Sequence, residues 1–159
     1  KPPGVMTGVS FHSQLRGGSS EGRDFVFAER GWHWGPITQT DGLDLSRSVT
    51  SRRYRYIYNA LPNRSYTPVD MASKDAWRAI RAAHAANRLS RLHERLYFSN
   101  PRPIVELYDL ANDPLELTNL SGNQDVASIE RDLREQLESW MIREHDFLPL
   151  PTHALSHEK

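Results

Sequence analysis

Between Gln124 and Glu144 the chain places Val126, Ile129, Leu133, Leu137 and Trp140 three and four residues apart, with Asp, Glu and Arg filling most of the positions between them. That period belongs to an α-helix with one buried stripe. The spacing therefore predicts a helix over 124–144, ended by Pro149 and Pro151. An amphipathic helix of this length needs an apolar surface to lie on, so the rest of the 159 residues must supply one.

Four short segments have strand character. Asp24-Phe25-Val26-Phe27-Ala28-Glu29 is aromatic and β-branched, and Arg30-Gly31-Trp32-His33-Trp34-Gly35-Pro36 then reads as a loop that ends it and holds bulky side chains. Ser48–Ser51 and Tyr54–Asn59 read as a second and a third strand, forming either a hairpin or one bulged strand; the sequence does not choose. In the latter run Tyr54, Tyr56 and Tyr58 share one face, and Arg55 and Ile57 the other. Ile104–Leu110 is the fourth, closed by the turn signal Asn112-Asp113-Pro114. Between the third and fourth strands lie an irregular stretch, Leu61–Pro68, and a helical one from Ala72 to Leu96. Ser73 is a candidate N-cap there, and Trp77, Ile80 and His84 form one stripe. Asn87 weakens the run, and Ser90 can cap a second short helix carrying Leu92, Leu96 and Tyr97, stopped by Pro101 and Pro103.

This order predicts an α+β fold: a small antiparallel sheet of about four strands packed against helices, including a long C-terminal helix. Residues 1–22 read as a loop-rich lead-in in which Val9, Phe11 and Leu15 can dock on the core, 23–151 as the folded unit, and 152–159 as a flexible polar tail.

Charge decides little by itself. Lys and Arg total 20, and so do Asp and Glu. Arg47, Arg52, Arg53 and Arg55, interleaved with Tyr54 and Tyr56, form the one strongly basic patch. Guanidinium forks match sulfate or phosphate oxygens, and arginine with tyrosine can stack on single-stranded nucleic acid. The bland alternative is a solvated strand face, or pairing with another domain. A nucleic-acid binder needs a net basic domain, which argues against nucleic acid as a partner. No apolar run reaches the ~20 residues of a membrane span. Cysteine is absent, which excludes disulfides and thiolate metal sites and leaves the compartment open. His84 and His93 lie nine residues apart, not the four that would place two ligands on one helical face, and His145, His153 and His157 show no ligand spacing, so no metal site is expected. Trp77, Trp140 and Tyr108 read as core. Arg102, between Pro101 and Pro103, is rigidly placed to clamp strand ends or a second domain.

The segment that best suits binding is Glu29, Arg30, Trp32 and His33. Binding residues gather on loops that follow strands. Here an imidazole sits between two indoles, Trp32 and Trp34, beside a carboxylate and a guanidinium. Indoles stack on sugar faces, and an imidazole can donate to a hydroxyl or a sulfate oxygen. Against this, Trp32 and Trp34 can be packing, His33 can cap a turn, and Glu29 with Arg30 can be a structural ion pair.

Three stretches in order carry a resemblance. Arg23–His33, Arg53–Asn59, and Pro101-Arg102-Pro103 running through Glu106–Leu110, Asn112-Asp113-Pro114, Glu116 and Asn119-Leu120 resemble the C-terminal subdomain of bacterial sulfatases of the alkaline phosphatase superfamily. The opening around Gly8-Val9-Ser10-Phe11 and the ending around Trp140 and Asp146 fit the same pattern, and Phe27-Ala28-Glu29 to His33 is similar to the heparan N-sulfatase (N-sulfoglucosamine sulfohydrolase) branch.

The resemblance implies hydrolysis of sulfate esters or sulfamates on glycosaminoglycan-type sugars. It implies a formylglycine made from Cys or Ser in a Cys/Ser-x-Pro-x-Arg motif, and a calcium ion held by Asp and Asn oxygens. This sequence has neither that motif nor an Asp-Asp or Asp-Asn pair. Formylglycine and calcium are thus expected in an N-terminal catalytic domain that partners this chain, and the chain alone is expected to be inactive. Its catalytic residues would be none, its metal ligands none, and its substrate-binding residues His33, Trp32, Glu29 and Arg30, which by resemblance help select a sulfated sugar. The loop-like opening favours a fragment of a longer enzyme, periplasmic or secreted if like bacterial sulfatases, whose isolated apolar surface would invite self-association. The alternative is a stand-alone, non-catalytic carbohydrate- or anion-binding module.

Overall fold

A computed structural model of the chain describes residues 8–19, 22–32, 43–66, 68 and 71–151. In order these form α1 (His12–Leu15), β1 (Val26–Trp32), β2 (Leu43–Thr50), β3 (Tyr54–Asn59), α2 (Asp75–Ala85), α3 (Arg91–Phe98), β4 (Val105–Asp109), a 3-10 turn (Gln124–Val126) and α4 (Ala127–Arg143). The strands make one antiparallel sheet in the order β1-β2-β3-β4. This is the α+β arrangement that the sequence predicts.

The open choice between a hairpin and a bulged strand resolves as a hairpin. Ser51 closes it: its backbone N–H donates to the Tyr54 carbonyl at 2.8 Å, and its hydroxyl oxygen accepts from the Tyr54 N–H at 3.0 Å. A single register row, Phe27-Val49-Tyr56-Leu107, crosses all four strands. Val49, Tyr56 and Leu107 in that row are buried, and α4 lays Leu133, Leu137 and Met141 over them. The predicted stripe sits slightly off centre, since Met141 is buried while Val126, Ile129 and Trp140 line its edge. Trp140 nevertheless packs on the sheet, stacked on Phe27 with ring centres 5.3 Å apart.

Helix ends differ from the sequence reading for local reasons. At the start of α4, Glu130 reaches back to accept from the Ser121 hydroxyl and the Gly122 N–H, and Asn123 accepts from Asp125 N–H, so donors at the helix entry find partners. At its end the chain turns into the left-handed region at His145 (φ 56°), with Glu144, His145 and Asp146 N–H groups bonded back to Trp140, Ile142 and Met141 carbonyls. That turn, rather than Pro149, stops the helix at Arg143. The α2 N-cap is Lys74, with no side-chain cap, instead of Ser73. Ser90 does cap α3, accepting from His93 N–H at 3.3 Å, and Asn87 (φ 53°) follows the end of α2.

One expectation about packing needs correction, and one is met in an unexpected place. Val9, Phe11 and Leu15 do not dock on the core: all three are well exposed around the one-turn α1. Trp77 is buried, but in a second aromatic cluster with Tyr97 and Phe98 rather than under α4. The two-helix segment thus carries its own small core, which helical periodicity does not assign to either layer.

Candidate functional site

β1 is an edge strand, and it runs past Glu29, where a loop was expected, to Trp32. Alternation along a strand sends neighbours to opposite faces, so Glu29 and Arg30 do not pair with each other. Glu29 lies towards Arg47 at 3.8 Å on the α4 face, with its side chain largely exposed. Arg30 lies on the other face, 3.4 Å from Asp44 and with its guanidinium 5.1 Å from the centre of the Tyr66 ring. Trp32 is 62% exposed, too open to be a core residue. Of the predicted site residues, Glu29, Arg30 and Trp32 therefore share one end of one strand; His33 and its neighbour Trp34 lie outside the described residues.

That end is irregular. Arg30 pairs with Ser46, but the next pair is Trp32 with Leu43, so Asp44 and Leu45 together oppose Gly31 in a β-bulge. Arginine–aspartate contacts hold it from both faces. On the α4 face Arg47, 3% exposed, grips the Asp146 carboxylate, 4% exposed, through Nε and through Nη2 (3.1 Å). Its Nη1 also donates to the Arg30 and Ser46 carbonyls, both at 2.9 Å. On the opposite face the buried Asp44 receives Arg102 at 2.6 and 3.3 Å besides Arg30. Arg102 thus clamps the start of β2, one of the two roles open to it from the sequence. Arg47 holds the Asp146 carboxyl below the usual carboxylate range, helped by the Leu148 and Phe147 N–H groups.

Beside this bulge is a cleft of about 340 Å³ lined by Glu29, Arg47, Trp140, Glu144, His145, Asp146 and Phe147. Glu29 and Glu144 offer carboxylate oxygens that can accept from hydroxyl groups, and the exposed Phe147 ring lies 5.8 Å from the Arg47 guanidinium. A smaller cleft of about 170 Å³ lies between α3 and β4, lined by Tyr66, Tyr97, Arg102, Glu106 and Tyr108 among others.

Three of the four arginines of the basic patch are spent on carboxylates. Arg47 is buried and committed to Asp146; Arg53 holds Asp109 at 3.0 and 2.6 Å; Arg55 is paired with Glu116. The Arg53 contact keeps the Asp109 carboxyl well below its ordinary range. Tyr56 does not stack outward beside these arginines, since it is in the core and burial raises its hydroxyl above the usual phenol range. His84 spends its Nδ1 on Glu94 at 2.8 Å and stacks on Phe98, while His93 contacts Ser90. Among the described residues no three His, Asp or Glu side chains converge as metal ligands. The residues that sequence reasoning missed are Asp44 and, as a binding partner, Asp146. Asp44 sits between two leucines in an ordinary strand pattern, and Asp146 lies 99 residues from Arg47, so neither contact leaves a local signal.

No family model matches the chain. Two ulvan-active sulfatases of Formosa agariphila are each 29% identical to it, over 152 and 158 residues, or 93% and 98% of this chain. The chain spans only 27% and 25% of their lengths. Among solved structures, a 2-O GAG sulfatase superposes with a TM-score of 0.55 and 19% identity, covering 92% of this chain and 22% of that one. A protein solved in complex with its substrate D-glucosamine-2-N,6-O-disulfate superposes with a TM-score of 0.52 and 13% identity, covering 96% of this chain and 23% of that one. Over nearly its whole length, then, the chain is similar in sequence to about a quarter of two sulfatases, and it shares its fold with a similar portion of solved ones.

Proposed function

We propose that this chain is the C-terminal part of a sulfatase that removes sulfate from a sulfated sugar, and that it positions the sugar while an N-terminal catalytic domain supplies the nucleophile. The observation that carries this reading is the coverage: more than nine-tenths of the chain aligns with sulfatases, yet only about a quarter of each sulfatase is matched. The described residues do not fit calcium, which takes six to eight converging oxygens, and the sequence lacks the formylglycine motif. Both groups are assigned to the N-terminal catalytic domain.

This chain's contribution is binding geometry. The exposed Trp32 indole offers a flat apolar face to a sugar ring, Glu29 accepts from hydroxyl groups, and Arg30, on the other face of the strand and 3.4 Å from Asp44, adds positive charge at the same edge. His33 follows Trp32 in the sequence and lies outside the described residues. Holding the sugar there orders it against the reactive group and raises the fraction of productive encounters. The exposed Ile142 and Phe147 suit a surface covered by a partner domain or, in the isolated chain, by self-association.

The narrower reading is a sulfamate hydrolase of the N-sulfoglucosamine type, supported by the Phe27-Ala28-Glu29 to His33 pattern. Sulfate release by the protein carrying this chain, assayed on N-sulfated glucosamine, O-sulfated glucosamine and ulvan fragments, tests both levels. Release from any of the three supports a sulfatase, and preference for the N-sulfated sugar supports the branch. Binding of these sugars with no sulfate release would instead favour a non-catalytic carbohydrate-binding module.

A further inference from the structure

Trp32 stands at a bulge, and the bulge is held from both faces. An extra residue in one strand increases the local twist and redirects the side chains beyond it. Here the extra residue falls immediately before the Trp32–Leu43 pair. Arg47 Nη1 bridges the carbonyls of Arg30 and Ser46, the two residues of the last regular pair. Its other nitrogens hold Asp146, in the turn that ends α4, and Asp146 in turn accepts from the Leu148 N–H at 3.0 Å. A nearly fully buried ion pair is a poor source of stability compared with apolar packing, and its best-attested use is to fix register.

We infer that Arg47 and Asp146 are positioning residues for the sugar-contacting edge: they tie the end of α4 to the β1–β2 bulge and so set how Trp32 is presented. This rests on the reading that Trp32 and Glu29 contact the sugar. Glu29 lies within reach of the same guanidinium at 3.8 Å, so one group organises both.

The test compares Asp146→Asn and Arg47→Lys with Asp109→Asn in the protein that carries this chain. Lysine keeps the charge of Arg47 but cannot span both carbonyls and the carboxylate. Asp109 makes an equivalent two-point contact with Arg53, at the opposite end of the sheet. The readouts are the indole N–H resonance of Trp32, assigned with Trp32→Phe, and the steady-state constants for sulfate release from a sulfated oligosaccharide. Asp146→Asn and Arg47→Lys are expected to move the Trp32 resonance and to raise KM about tenfold with kcat within about twofold of wild type, the pattern of lost binding. Asp109→Asn is expected to leave both at wild-type values. An unmoved Trp32 resonance in a folded Asp146→Asn or Arg47→Lys protein overturns the inference, as does an equal rise in KM for Asp109→Asn. Should Asp146→Asn not fold, Arg47→Lys decides. If the protein releases no sulfate at all, the proposed function fails on its own, and the Trp32 resonance still decides this inference.

Discussion

Arg47 on β2 and Asp146 just beyond α4, 99 residues apart in the chain, form a two-point ion pair that is almost entirely sealed from solvent. Removing Asp146 leaves the buried Arg47 guanidinium with only the exposed Glu29, 3.8 Å away, as a counter-charge. Asp146→Ala is therefore expected to cost about 3–5 kcal/mol by denaturant unfolding, whereas an apolar replacement of both partners is expected to be close to neutral. A loss in the double variant equal to the sum of the two single losses would show that the pair is not coupled.

Acid should expose the same contact. Asp146 and Asp109 both have carboxyls depressed by their arginines. A depressed carboxyl contributes stability above its unfolded value, near pH 4, and that stability is lost as pH falls through the folded value. Thermal stability is thus expected to be flat from neutral pH down to about 4 and to fall below it. Asp146→Asn should flatten the fall, as monitored by circular dichroism between neutral and acid pH.

At the alkaline end the order reverses. Burial raises the Tyr56 and Tyr108 hydroxyls, and at Tyr108 the Glu106 carboxylate adds to the effect. Unfolded tyrosines ionise near pH 10, so stability present below that value is lost as pH rises above it. Ultraviolet titration of the folded protein should show these phenols remaining protonated well past pH 10 and ionising together with unfolding; smooth ionisation at the ordinary value would contradict their burial.

Leu137 has no exposed surface and belongs to the same core cluster as Tyr56 and Leu107. Leu137→Ala is expected to destabilise by about 3 kcal/mol. By contrast Ser90→Ala, which removes one exposed cap on α3, should cost about 1 kcal/mol. Denaturant midpoints of the two variants compare the sheet–helix core with the peripheral helical segment.

The fold was legible because its two strongest signals are periodic. The Leu133–Leu137 spacing and the alternation of Tyr54, Tyr56 and Tyr58 survive as the two faces that pack together. What failed to show was non-periodic. Gly31 and Trp32 read as loop yet extend β1, because Leu43 on the neighbouring strand supplies a partner that no local pattern announces. Arg47 read as one of four surface cations, yet it is buried, since its counter-charge comes from the far end of the chain. Trp77 was correctly read as buried, but helical spacing could not say that its partners would be Tyr97 and Phe98.

The most direct measurement is steady-state sulfate release by the protein carrying Trp32→Ala or Glu29→Gln on this edge. If the edge binds the sugar and takes no part in bond cleavage, KM is expected to rise about tenfold while kcat stays within about twofold. A collapse of kcat at unchanged KM, or constants identical to wild type in both variants, would contradict that account.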